Sequence, residues 1–336
     1  MNVPLQATRG IARIVFSLLA MMILTTSMAA DPASVIWKTK GSMTFMAADG
    51  ADVWVIEASG GLEAPKASLV RIGATGATRI ATFSGYAYSP AADGESVYLV
   101  VGKDIVRVGK RPPYATTILK KGEVWPIGTA VDGESVYFAN QSTEGLVGGP
   151  PDGKPGSVAK ISKGGAGLVR LTEANTRELV LDTNNVYFSN GTNICAVSKR
   201  GGPIRTLVQD TGQTPSLAVE GEWLVYTRSD GVSRVNTKSG RIETLADDID
   251  IPLVVAAADG VAYVGGNMAF QGPGKPPKPA EVLRLRAGGA PERLWSGMTR
   301  LISLVIASGK LYVAVEPMDG SDGSSLLRID PPAMSR

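Results

Sequence analysis

Carboxylates are the residues with the most chemistry to offer. Asp247-Asp248-Ile249-Asp250 is the densest acidic cluster. Calcium takes about six to eight oxygen ligands, so Asp247, Asp248 and Asp250 are candidate Ca²⁺ ligands. Asp319-Gly320-Ser321-Asp322-Gly323 also looks cation-like, but it lacks the terminal Glu of an EF-hand loop. A cation held by Glu123, Glu173, Asp210 and Asp248 would activate water, with a carboxylate as general base. That chemistry is metal-dependent lactone or ester hydrolysis. Two carboxylates alone would serve a glycosidase. The same aspartates are ordinary turn formers, and a solvated loop is the simpler reading. The chain has no His, which removes Ser-His-Asp and Cys-His triads, His-ligated metals and imidazole pH switches. Its one cysteine, Cys195, lies in the strand-like run Asn193–Val197 and reads as a small buried apolar residue. No acid–base constellation emerges, so the residues favour a binding protein over an enzyme.

The start of the chain reads as an export signal over residues 1–29. Arg9 and Arg13 precede the apolar run Ile14–Leu24, and Ser27-Met28-Ala29 supplies small residues for cleavage. The run is shorter than the roughly 20 residues of a comfortable membrane span, and no Cys follows it to carry a lipid. The expected product is a periplasmic or secreted protein, not a lipoprotein, with no stable membrane insertion after cleavage. Cleavage removes two Arg and no acid, so the net charge falls from 34 − 31 = +3 to 32 − 31 = +1. That balance leaves no nucleic-acid footprint.

A repeat positions everything else. An acidic residue and Gly precede an apolar-aromatic strand, as in Asp93-Gly94-Glu95-Ser96-Val97-Tyr98-Leu99 and Asp132-Gly133-Glu134-Ser135-Val136-Tyr137-Phe138. The anchor positions are 49, 93, 132, 182, 220, 259 and 308, spaced 38 to 50 residues apart. A second phrase carries a basic residue, as in Ile105-Val106-Arg107-Val108 and Val158-Ala159-Lys160-Ile161, with Ala196 as the exception. Those basic residues read as structural, their stems packing between units and their charges reaching water or a carbonyl. Each unit therefore predicts four short strands, a to d from inside outward. Helical periodicity is absent, and a period of about 40–50 residues is that of a propeller blade. The last unit stops after its third strand, and Val35-Ile36-Trp37-Lys38 is an orphan strand near the other end. The expectation is an all-β, single seven-bladed β-propeller of four-stranded blades, closed by the N-terminal strand pairing into the last blade. Expected blades span 41–83, 86–120, 125–172, 177–208, 215–245, 251–295 and 301–330 plus 34–39, with a tail at 331–336.

This pattern resembles the bacterial secreted propellers of the Tol-translocation and YWTD type, although the YWTD tetrapeptide itself is absent. The resemblance implies protein or glycan binding. It also implies that b–c and d–a connections share one face. Four elongated b–c loops would lie there: 58–67, 141–156, 266–279 and 316–324. Met268 and Phe270 are apolar tips suited to a partner. The d–a connections, carrying Glu123, Glu173, Arg177, Asp210 and Arg300 with the Asp247 cluster, would aim at the central channel. The partner expected at this face is a protein, a peptide or an envelope glycan. No cofactor is implied beyond the candidate Ca²⁺.

Overall fold

The computed structural model describes residues 33–61, 63–142, 155–249, 251–266, 278–319, 321 and 323–332. These form 28 strands in seven four-stranded antiparallel sheets, with no helix among the described residues. Six sheets take their strands in chain order, beginning at Ser42, Ala87, Pro126, Leu179, Leu217 and Pro252. The seventh contains Thr299–Ala307, Lys310–Pro317 and Ser324–Ile329, with Ala33–Thr39 as its outer strand. In that pair Ala33 faces Ile329 and Val35 faces Leu327. Each innermost strand lies against the next, and that of blade 7 lies against that of blade 1. The molecule is a seven-bladed β-propeller.

Period-two alternation explains the cores. In strand b of blade 3, Val136 and Phe138 pack toward blade 2, while Tyr137 and Ala139 pack toward blade 4. Both faces of every blade are covered, so strand b is a continuous apolar run. Seven hydrophobic clusters result, one at each blade interface. Cys195 is buried in the cluster between blades 3 and 4. Small residues keep the inner strands close. A Cβ on Gly265, in strand b of blade 6, would stand 2.8 Å from Leu301 of blade 7 and 2.9 Å from Val254 on the inner strand of its own blade.

The recurring aspartate does more than turn the chain. Asp132 Oδ1 accepts the N–H groups of Glu134 and Ser135, and Oδ2 accepts the Tyr137 hydroxyl at 3.0 Å. Asp93 with Tyr98 and Asp182 with Tyr187 repeat this arrangement. A lysine from the following blade then reaches back. Lys163 meets Asp93 at 2.7 Å, Lys199 meets Asp132 at 2.8 Å, and Lys110 pairs with Asp49. Lys110 also lies over the Trp54 ring and Lys199 over the Tyr137 ring. Burial pushes the Asp93 and Asp132 carboxyls up, but the lysine and the turn N–H donors outweigh it and hold both below the ordinary value. Burial, with the Asp93 charge beside it, pushes the Tyr98 hydroxyl up to about 12.

The basic residues of strand c act between and within blades. Arg107 donates to the Lys163 carbonyl of the next blade at 2.9 Å, and Arg234 pairs with Glu243 while lying over Trp223. Where strand c carries Ala196 instead, Arg205 opposite it on strand d donates to the Thr237 carbonyl of the next blade at 2.9 Å.

Candidate functional site

The central channel opens on the face where the inner strands begin. Its mouth is a cavity of about 620 Å³ lined by the inner-strand region of all seven blades. A local irregularity aims the lining. In five blades strand a slips register against strand b near its start. The residues left out of the pairing are Thr44, Ser89 with Pro90, Ile127, Leu253 and Ile302, and all of them line the cavity. A bulge turns a side chain out of the pleat, which here directs it inward. In blades 4 and 5 strand a starts later, at Leu179 and Leu217, and the preceding segments supply Arg177, Glu178 and Thr214–Ser216.

Among the described lining residues, Glu178 is the one carboxylate and Arg177 the one cation. Glu178 Oε1 accepts the Ser216 hydroxyl at 3.3 Å and the Leu217 N–H at 3.2 Å. Ser216 Oγ in turn accepts the Val255 N–H at 3.3 Å, so blades 4, 5 and 6 are linked in series. Burial pushes the Glu178 carboxyl up to about 7, because the two neutral donors offset only part of the desolvation.

The rim is apolar. Tyr86, Trp125, Ile251 and Met298 are exposed, and each belongs to a connection entering an inner strand; Leu253 is exposed just inside such a strand. Tyr86 stacks on Tyr88 at 6.3 Å, and Tyr88 meets Phe45 edge-on at 5.9 Å, which continues the aromatic surface into the cavity.

Of the residues singled out from the sequence, Arg177 lines the channel. Glu123 instead accepts Asn140 Nδ2 at 2.8 Å and lies 3.6 Å from Lys120. Glu173 is exposed at the end of its strand, opposite Ser157. Asp210 is an exposed turn residue with φ 47°, its carboxylate accepting the Gly212 N–H. Asp247 pairs with Arg228. Asp248 is exposed with φ 60° in the next turn. These two line a separate cleft with Glu281 and Lys278. Arg300 sits in strand a of blade 7 and pairs with the buried Glu316 opposite it. Met268, Phe270, Asp250 and most of the 141–156 and 266–279 loops lie outside the described residues. Among the described residues, the structure therefore does not gather these acidic residues at the channel mouth, and no group of three or more His, Cys, Asp or Glu is placed to hold a metal. Two features escaped the sequence reading: Glu178, and the apolar rim.

No protein-family description matches the chain, and no curated protein matches it in sequence. Solved structures do match in shape. BamB from Moraxella catarrhalis superposes with a TM-score of 0.54 at 14% identity, over 88% of this chain and 88% of that one. The Pan2 WD40 domain of Neurospora crassa gives 0.62 at 8% identity, over 90% and 97%. An acylaminoacyl peptidase of Pyrococcus horikoshii gives 0.63 at 10% identity, over 87% of this chain. This chain spans about half of that peptidase's length (52%). At such identities the likeness is one of fold.

Proposed function

We propose that this protein is an exported binding or scaffold propeller that engages a protein, peptide or envelope glycan at the channel mouth. The observation carrying this reading is the rim of exposed apolar side chains around a cavity of about 620 Å³. Exposed apolar side chains beside a cavity with both polar and apolar walls are what a recognition site presents, and aromatic anchors such as Trp125 and Tyr86 bury large areas on contact. The long b–c loops leave strand b on this same face, and Gln141, first in the blade 3 loop, lines the cavity. The signal-like segment at 1–29 supports export to the periplasm or beyond, and the repeat pattern supports a likeness to the secreted propellers of Tol-translocation or YWTD type.

The test is photo-cross-linking from Gln141 in cells that make the protein, with isolated envelope glycan as a second bait. Capture should be lost with Trp125→Ala and Met298→Ala and kept with Ile204→Ala, which alters an exposed apolar residue on the opposite side of the fold. Retention of every captured partner by the two rim variants would overturn the reading. Export is tested separately, by sequencing the N-terminus of the envelope fraction's product.

A further inference from the structure

Among the blades that share one aspartate–aromatic turn, one lacks the lysine bridge. Four blades carry an aspartate in the a–b turn with an aromatic residue five positions on: Asp49 with Trp54, Asp93 with Tyr98, Asp132 with Tyr137 and Asp182 with Tyr187. The first three receive a lysine ammonium from the following blade. Asp182 forms no ion pair with any described residue.

Position in the repeat shows what is missing. The N–H groups of Lys110, Lys163 and Lys199 each donate to the carbonyl of a residue in their own blade's a–b turn: Glu95, Glu134 and Asn184. In blade 5 the same bond runs from Thr237 to Glu222. Threonine thus stands where three sister blades carry lysine, and its short side chain bonds back to the Glu222 carbonyl. The space is open: a cleft of about 550 Å³ lies between blades 4 and 5, lined by Asp182, Asn185, Tyr187, Arg205, Thr237 and Lys238 among others. Lys238 is turned outward to an exposed pair with Glu222.

We propose that the Asp182 cleft is a socket for a primary ammonium group brought by a ligand. The three filled copies give the recognition geometry, with Nζ 2.7 to 2.8 Å from the carboxylate in the two bridges of ordinary length, and a ring face beside the ammonium of Lys110 and of Lys199. Asp182 Oδ2 accepts the Tyr187 hydroxyl at 2.6 Å and only a long contact of 3.4 Å from Asn185 Nδ2, which an ammonium can displace. Burial raises the Asp182 carboxyl, but the Tyr187 hydroxyl and the turn N–H groups outweigh it and keep it ionised at neutral pH. Arg205 at the cleft is no obstacle, since Arg107 donates to the carbonyl of Lys163 while the ammonium of that lysine sits on Asp93. The socket lies on the a–b and c–d face, away from the channel mouth, so it stands or falls independently of that site.

The ammonium has two sources, a free amine or a lysine side chain of a bound protein. Two probes separate them: n-butylammonium, and a short peptide with one internal lysine. The backbone amides of Asn184 and Asn185, which donate to Asp182, report occupancy by NMR. Butylammonium at millimolar concentration should shift both amides. Peptide binding tighter than butylammonium assigns the socket to protein lysines, and equal or weaker binding assigns it to free amines. Asp182→Asn keeps an oxygen for the turn and should weaken binding about tenfold, the loss of one charge-assisted contact. Thr237→Lys should fill the socket, abolish both responses and raise the melting temperature. Absence of any shift in the wild-type protein with either probe, or equal shifts in wild type and Thr237→Lys, would overturn the proposal.

Discussion

The Lys199 ammonium of blade 4 lies 2.8 Å from the Asp132 carboxylate in the a–b turn of blade 3, over the face of Tyr137. One aspartate thereby closes its own turn, orients a buried tyrosine and holds the neighbouring blade. The lysine side chain is 13% exposed and the aspartate side chain 26%, so the pair is screened far less than a surface pair.

Asp132→Asn should therefore destabilise the fold by about 1–3 kcal/mol at neutral pH. The wild-type carboxyl is held below its ordinary value, so its contribution is present above that value and lost as pH falls through the lowered one. Urea unfolding of both proteins at pH 7 and at strongly acid pH should show the difference shrinking on acidification. A constant difference would contradict the assignment.

Glu178 has the opposite sign. Its carboxyl is raised to about 7 in the fold, so the stabilising form is the neutral acid, fully present below the unfolded value and lost as pH rises toward 7. Glu178→Gln preserves an acceptor for Ser216 and Leu217 without a charge. The variant should match the wild type near pH 4 and exceed it by up to about 3 kcal/mol above pH 7, an upper bound from the shift. Thermal unfolding across that range measures it.

Gly265→Ala tests the crowding of the inner strands. The added methyl would press on Leu301 and Val254 from 2.8 and 2.9 Å. Overpacking of this kind costs about 1–3 kcal/mol. The same substitution at Gly50, where no atom lies within 4 Å but φ is 60°, probes backbone strain alone. Denaturation midpoints of the two variants separate steric from conformational cost.

Removing residues 33–39 should leave strand Ser324–Ile329 as an unpaired edge beside buried Leu326 and Leu327. Exposed edges template pairing with other chains. The truncated protein should melt earlier and self-associate, which calorimetry and size-exclusion chromatography with light scattering would record.

The fold was legible because its period and its Asp-Gly turns are local signals. Asp93-Gly94 and Asp132-Gly133 mark turns whose strands alternate apolar side chains to two covered faces, and tertiary packing only reinforces that pattern. The channel was harder to read. Which residues enter it depends on register slips such as that between Met43 and Phe45, and a slip leaves no mark in composition. Arg177 was visible as a charge ahead of strand a, whereas nothing in the local sequence sets Glu178 beside it apart. Aligning the repeats by strand b would have placed Glu178 level with Gly128 and Ser216, an acid among small residues, which is the signal that was available. Spacing also cannot show that Glu123 and Asp247 already have partners. The bridging lysines were passed over for the basic residues within strand c, since Lys163 and Lys199 stand just beyond the strand ends.

The seam in blade 7 also has a mechanical consequence. Ala33 and Ile329 are paired at one end of their antiparallel ladder, so the two ends of the ring-forming chain leave it side by side. Tension applied between them loads the rungs one after another, from the Ala33 end toward Thr39 and Ser324, rather than all together. The ring should peel open at this seam under low force, while the other six blades, whose strands follow one another directly in the chain, stay intact until the peeling reaches them.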